Sequence, residues 1–356
     1  QDELIDHYSK TGNFLIDAFK EFSSEDLIFF FSNRGLKFKI EDKGRIFPVS
    51  DSSFNVLDVM EKEINKLGVK ILLGSKCENI NISGDGKIQS VNLSDGRVVN
   101  ASSVVLACGG VSYKATGSTG DGIRIAEKLG HKIEPLKPGL VSLVLKSDVP
   151  KILEGLSLNN VKLIYRSGKN KFLSIMDNLI FTHKGISGPV VLSSSQKCID
   201  WMEDGREVTV ALDCLPLLSV EELDKNLDEK FKKMSNNGIK NILSELLPER
   251  FSKVITELAG FLPGDKANKV TANTRKKIVS LLKEFKFDVL KSGSFEKAQV
   301  TRGGVSVKDI DPRTMMSKKI KNLFFAGEMI DIDGDCGGFN LQAAFSTGYL
   351  AGKCAE

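Results

Sequence analysis

The residues best suited to chemistry lie near the C-terminal end, in LFFAGEMIDIDGDCGGFNLQAAFSTGYLAG, residues 323 to 352. An apolar run is followed by an abrupt Ala-Gly-Glu, an acidic glycine-rich loop, and helical text with almost no charge. The run reads as a parallel-sheet strand, and open α/β sheets take ligands in the loops after their strand ends. Gly337 and Gly338 place bare backbone amides at the start of the helix. Unpaired N–H groups and the helix dipole favour an anion or an electron-rich carbonyl there. A buried helix whose glycines serve packing alone fits the same text. Ala344, Gly348 and Gly352 fall at i, i+4 and i+8, a smooth stripe for close packing on a sheet. Cys336, inside the loop, is either a thiol activated by the helix N-terminus or a small residue suited to a crowded turn.

Other segments could contribute. SVVLACGG (103–110) is a continuous apolar run ending on two glycines, as expected of a parallel strand buried on both faces. TGSTGDGIRIAEKLGH (116–131) predicts a flexible loop, an N-cap at Asp121 and a helix stopped by Gly130. Its glycine spacing is not that of a dinucleotide fingerprint. FTHKGISGP sets His183 at a strand end before a turn, where an acid/base role competes with a structural or solvated one. TRGGV ends a strand with Arg302 and two bare amides, and faces either an anionic ligand or solvent. Tyr113, His183 and Arg302 are the candidates for proton transfer and anion stabilisation, with Arg45 a weaker one.

The elements that must position these groups follow from periodicity and punctuation. Residues 13–35 hold two helical patterns broken at Ser23-Ser24, with Ser24 as N-cap of the second. A helix over 53–67 closes on Gly68, and VKILLG after it predicts a buried strand. CENINIS, KIQSVNLS and RVVNA, joined by GDG and DG turns, predict a three-stranded meander. Residues 136–218 are β-rich, 219–285 helical, and strand text resumes from 286. The expected organisation is a discontinuous α/β domain, 1–135 and 300–356, around an insert at 136–299. Within that insert, 136–218 and 286–299 form the β-rich part.

Composition excludes several classes. With 41% hydrophobic and 27% charged residues in 356, the chain suits globular domains, roughly two of them. No apolar run approaches the roughly 18 residues needed to span a bilayer. Six cysteines without C-x-x-C pairing, and three histidines, argue for reduced thiols in a cytoplasmic protein with no metal centre. Net charge is +4; over 221–290 there are 14 basic and 11 acidic residues alternating along the helices, which reads as a solvated face, not a nucleic-acid groove.

EDKGRIFPVS, SVVLACGG, SYKATGSTGDGIRIAEKLGH, FTHKGISGP, TRGGV, TMMSK and the 323–352 stretch occur in the order of the BaiN/aminoacetone-oxidase-like, or HI0933-like, FAD flavoproteins. The resemblance covers nearly the whole chain. It implies a Rossmann-like FAD domain interrupted by a β-rich module with a helical cap. It further implies that FAD meets Ala107, Gly109 and Gly110 of SVVLACGG, with Cys108 where Thr is usual. The backbone at Cys77 would contact adenine, and Gly327 and Glu328 would lie near the ribityl or pyrophosphate. The amides of Gly338, Phe339, Asn340 and Leu341 would face the flavin pyrimidine edge or pyrophosphate.

The family pattern opens with a βαβ unit carrying G-x-G-x-x-G and a later G-G-G-R-C-N, which these residues do not contain. About sixty residues of the pattern precede the matching text, judged from the size of such a unit. On that basis the 356 residues alone are expected to bind FAD poorly and to be marginally folded. The implied activity is hydride transfer between flavin and a small organic substrate, ene-type reduction or amine oxidation. NAD(P)H or dioxygen would complete the cycle. No membrane association is expected, and nucleic acid is not expected as a partner. The competing readings are a tRNA-modifying or RNA-binding flavoprotein, and an inactive remnant without FAD.

Overall fold

The computed structural model describes residues 2–355. By internal contacts the chain divides into two units, residues 1–138 with 299–356, and residues 139–298.

The first unit begins with a short turn, α1 (Asp2–Ile5), then α2 (Ile16–Glu21) and α3 (Ser24–Ser32). The N-cap of α3 is Ser23, one residue before the expected Ser24. Its hydroxyl accepts the Asp26 N–H at 3.2 Å and Asp26 Oδ2 accepts the Ser23 N–H at 2.8 Å. This reciprocal pair satisfies two donors that the helix end leaves open, and Ser24 has no acid at the matching spacing. A small hairpin, β1 (Phe38–Ile40) with β2 (Ile46–Pro48), leads into α4 (Ser53–Lys66), which ends at Gly68 with φ +67°. VKILLG is not the buried strand expected. It joins no ladder, and Val69, Ile71 and Leu73 are 54%, 55% and 88% exposed. A strand is stable only against a neighbouring edge, and among the described residues none lies beside it.

The meander forms as expected: β3 (Cys77–Ile82), β4 (Ile88–Leu93) and β5 (Val98–Asn100), all antiparallel. Then come β6 (Val104–Leu106), α5 (Asp121–Lys128) and β7 (Ile133–Gly139). Asp121 is the first residue of α5 and not its cap. The cap is Gly120 at φ +76°, because the chain enters the helix in a left-handed turn that disfavours a side chain.

The second unit is built on antiparallel strands β8 (Leu143–Leu145), β9 (Ser157–Ser167), β10 (Asn170–Leu173), β11 (Asp177–Thr182), β12 (Gly185–Ser187), β13 (Thr209–Asp213) and β14 (Phe285–Ser292). β9 bonds β11 over its first half and β13 over its second. The order β9-β11-β12-β8-β14-β13 therefore returns to β9, a closed barrel that removes sheet edges. Between β8 and β9 lies a helical turn, α6 (Val149–Ile152). Helix α7 (Pro189–Glu203) sits within text read as strand. Pro189 opens it, and Tyr165 of β9 ties to it through a 2.8 Å bond with Ser194. Helices α8 (Val220–Lys233), α9 (Ile239–Leu243), α10 (Glu249–Ala259) and α11 (Ala272–Lys283) fill the stretch expected to be helical. Their apolar faces join Leu163, Tyr165, Phe181, Leu212 and Phe287 in one core.

The chain then completes the first unit with β15 (Val300–Val305), β16 (Leu323–Phe325) and α12 (Phe339–Cys354). β16 pairs in parallel with β6, Leu323 opposite Val104 and Phe325 opposite Leu106. β16 is fully buried, whereas Val104 and Val105 of β6 are only half-buried. The two strands expected to be parallel are thus adjacent, and both release their loops at the same end. The face of α12 that packs inward carries Ala343, Ser346, Thr347, Leu350 and Ala351. The Ala344–Gly348–Gly352 stripe does not serve close packing along its length, since a Cβ added at Gly348 or Gly352 meets nothing within 4 Å.

Candidate functional site

The loops leaving β6 and β16 are locked to each other by one carboxylate. Glu328 Oε2 accepts the Gly110 N–H at 3.0 Å and Oε1 accepts the Thr301 N–H at 2.5 Å. Thr301 Oγ1 in turn accepts the Val111 and Ser112 N–H groups at 2.8 and 3.1 Å. Burial pushes the Glu328 carboxyl up, and the two amides oppose that rise. The approach is so close that a Cβ on Gly110 would lie 2.2 Å from Thr301 Oγ1. Gly327 adds a left-handed turn at φ +67°, and its N–H donates to Thr347 Oγ1 at 2.9 Å, fastening the β16 loop to α12.

Two cavities open in this unit, the first of them lined in part by the clamp. One of about 220 Å³ is lined by Leu15, Val300, Gly327, Glu328, Ile332, Asn340, Leu341, Ala344 and Thr347. The other, of about 170 Å³, is lined by Lys76, Cys77, Cys108, Gly117, Thr119, Asp121 and Gly122. Cys77 starts β3 and is half-buried, and burial pushes its thiol up with Cys108 adding to the rise. Cys108 is open to solvent on one side, while the protein packed on the other raises its thiol too. A salt bridge of 3.0 Å between Lys76 and Asp121 closes part of the rim.

Helix α12 begins from Gly338 at φ +96°, where an added Cβ would meet open space. Its first-turn amides belong to Phe339, Asn340 and Leu341, and Leu341 is 64% exposed. The Asn340 side chain closes the preceding loop, accepting the Gly334 N–H at 2.9 Å and donating to the Gly334 carbonyl at 2.8 Å. The acidic side chains of that loop have partners on other elements. Asp333 lies 3.8 Å from Arg302 Nε, the two side chains 5% and 16% exposed, and Asp335 Oδ2 lies 3.1 Å from His7 Nδ1. The helix start therefore presents amides beside carboxylates that face Arg302 and His7. Asp331 is pushed up to about 6, mainly by burial and then by Glu134 and Asp333, against Arg302 and Lys132.

Residues near the chain start, which sequence reading left aside, strap this loop down. Tyr8 bridges Gly334, the Asp335 N–H donates to the His7 carbonyl at 2.8 Å, and the Ser9 N–H donates to the Asp333 carbonyl at 2.9 Å. Tyr8 Oη donates to the Phe339 carbonyl at 2.7 Å, and the His7 ring stacks on Phe339 with centroids 4.1 Å apart. The only advance signal was the glycine-rich text itself, because the partners stand more than three hundred residues away in sequence.

Of the remaining candidates, Arg302 joins the loop. Tyr113 holds a left-handed conformation at φ +54° and is 52% exposed, its carbonyl accepting the Thr116 N–H at 2.8 Å. His183 belongs to the second unit, in the turn between β11 and β12, with Nδ1 2.8 Å from Glu154. Arg45 follows the helical turn before β2. Ala107 is exposed just past β6, and Gly109 takes φ +70° beside Ser118. No helix among the described residues is long and apolar enough to cross a membrane.

The family model described as "HI0933-like protein Rossmann domain" matches residues 1–354. The chain is 29% identical over 349 residues to the 3-dehydro-bile acid delta(4,6)-reductase of Clostridium scindens, spanning 98% of this chain and 84% of that protein. It is 28% identical over 345 residues to the ribosomal RNA dihydrouridine synthase of Haemophilus influenzae, spanning 96% and 82%. The Escherichia coli protein of the same description is 28% identical over 350 residues, spanning 98% and 83%. The chain belongs to the HI0933-like Rossmann-domain family, a family of FAD-dependent oxidoreductases.

Proposed function

We propose that this protein reduces a carbon–carbon double bond conjugated to a carbonyl, with FAD bound along the loops of β6, β16 and the start of α12. The observation that carries the reading is the open, amide-presenting start of α12 beside the Glu328 clamp. The names of the relatives supply the chemical class. A 3-dehydro bile acid with 4,6 unsaturation and the uracil ring of uridine both hold C=C conjugated to C=O, and reduction of either adds one hydride and one proton.

The residues present fit the cofactor. The backbone of Phe339, Asn340 and Leu341 suits the electron-rich edge of the flavin, Gly327 and the walls of the 220 Å³ cavity suit the chain beyond it, and Cys77 with Cys108 line a place for an uncharged ring. When bound, FAD supplies the hydride chemistry. The protein holds dipoles where negative charge develops, which is worth a few kcal/mol per well-placed donor. Glu328 maintains the two loops in one geometry, and the strap of residues 7–11 fixes the helix start.

The test is anaerobic bleaching of the flavin spectrum by NADH or NADPH, followed by reoxidation on adding a 3-keto-4-ene steroid. Reoxidation by the steroid with formation of the saturated ketone supports the reading. Reoxidation only by dioxygen or an amine-derived imine would refute it. A second reading, uridine in RNA as the acceptor, is favoured by the relatives' names, and the net charge of the second unit permits an anionic partner. Counted by unit, residues 139–298 carry +5 and the rest −1 of the total +4. RNA containing uridine replaces the steroid in the same assay, and salt-sensitive turnover selects it.

A further inference from the structure

We propose that His7, oriented by Asp335, is the group that delivers the proton in this reduction; the inference rests on the double-bond reduction proposed above. The protein has three histidines. His131 is buried, with Nδ1 3.1 Å from the Ala126 carbonyl and Nε2 2.7 Å from Ser317 Oγ, so both its nitrogens are committed. His183 lies in the second unit against Glu154. His7 is the one that stands on the glycine-rich loop at the start of α12.

Its placement is specific. Nδ1 lies 3.1 Å from Asp335 Oδ2, and the Asp335 N–H donates to the His7 carbonyl at 2.8 Å, so the same two residues are joined through side chain and backbone. The imidazole lies on the Phe339 ring at 4.1 Å and 17°, which fixes its plane. A carboxylate can only accept, so the neutral ring keeps its proton on Nδ1 and Nε2 is the working edge. The side chain is 40% exposed, enough for exchange with water. Phe339 is the first residue of the helix whose amides suit a carbonyl oxygen. The charged groups around His7 are Asp335 and, along the loop, Asp333 with its Arg302; Tyr8 and Phe339 bring no charge. Burial raises the Asp335 carboxyl and His7 opposes that rise, the arrangement of a carboxylate that orients an imidazole.

The step balances. Bound FAD, once reduced by NAD(P)H, would supply the hydride, two electrons with one hydrogen, to the carbon β to the carbonyl. The C=C π pair shifts toward the carbonyl and forms the new C–H bond at the α carbon with the Nε2 proton of the His7 imidazolium, whose Nδ1 proton stays hydrogen-bonded to Asp335. His7 is left neutral and regains its proton from water. Asp335 is a positioning residue. General acid catalysis of this kind contributes typically 10²–10⁴-fold.

The experiment compares wild type, His7→Gln and Asp335→Asn at saturating FAD, measuring flavin reduction by NAD(P)H separately from reoxidation by a 3-keto-4-ene steroid. The expected result for His7→Gln is reoxidation slowed about 100-fold or more, a loss at least about tenfold greater than any change in flavin reduction. Asp335→Asn should slow reoxidation less than His7→Gln does, because the ring remains and only its orientation is released. In the cofactor-free chain, long-range ¹H–¹⁵N spectra should show neutral His7 protonated at Nδ1, a preference lost in Asp335→Asn. Reoxidation by His7→Gln within about threefold of wild type, an equal fall in both half-reactions, or no tautomer preference would each overturn the proposal. Absence of steroid reoxidation in wild type defeats the underlying reading and the proposal together, whereas wild-type activity with an unaffected His7→Gln defeats this proposal alone.

Discussion

Carboxylates at the glycine-rich loop set how stability responds to pH, and Asp331 is the clearest case. Its carboxyl rises from 3.8 to about 6 on folding, chiefly through burial. The folded protein therefore binds more protons than the unfolded chain between these values. Stability falls as pH increases through that window and does not recover above it. Asp331→Asn removes the penalty, because the hydrogen bonds at this residue, from Thr11 Oγ1 to its carbonyl and from its N–H to the Val305 carbonyl, are made by the main chain. Urea unfolding at pH 8 should show the variant more stable, by roughly 1–2 kcal/mol because solvent screening at this partly exposed carboxyl reduces the full linkage value, with the advantage shrinking toward pH 4. The residue types at this site were legible in sequence: Gly327, Glu328, Gly338 and Asn340 all lie at it. Their pairings were not. Glu328 meets Gly110 and Thr301, and Asp335 meets His7, across separations that no local pattern encodes.

At the scale of elements, α12 shows where periodicity succeeds and where it misleads. Helix existence and its start at the glycine pair follow from composition, but which face packs does not. The stripe of Ala344, Gly348 and Gly352 looks like a packing surface because small residues allow close approach. In the fold, the inward face is the one bearing Ser346, Thr347 and Leu350. Gly348→Ala should therefore raise stability by roughly 0.5–1 kcal/mol, since the methyl meets open space and glycine in a helix interior carries an entropic cost. A fall of more than about 1 kcal/mol in thermal or denaturant unfolding would show the stripe packed after all. The same lesson applies to VKILLG and α7. An apolar run with β-branching becomes a strand only if a partner edge exists, and PVVLSSSQKCIDWME becomes a helix because Pro189 starts it and the barrel strands accept its face.

For the molecule as a whole, the two units differ in how they close. The unit of residues 139–298 completes a barrel with its own strands and fills it with its own helices. That fragment, expressed alone, should unfold in a single cooperative transition with native-like near-ultraviolet circular dichroism; a non-cooperative melt would show that its core depends on the other unit. Sequence alone determined the class of the fold, the meander, the parallel pair β6 and β16, the helical stretch 220–283 and the glycine-rich start of α12. Those features arise from local periods, turn residues and runs of buried side chains, which are written over a few residues each. Only the tertiary structure decided that the barrel closes through β9, that Glu328 clamps the β6 loop, and that residues 7–11 hold the start of α12. Each of these joins groups far apart in the chain, and their pairing depends on which buried donors and acceptors the packed core leaves within reach of one another.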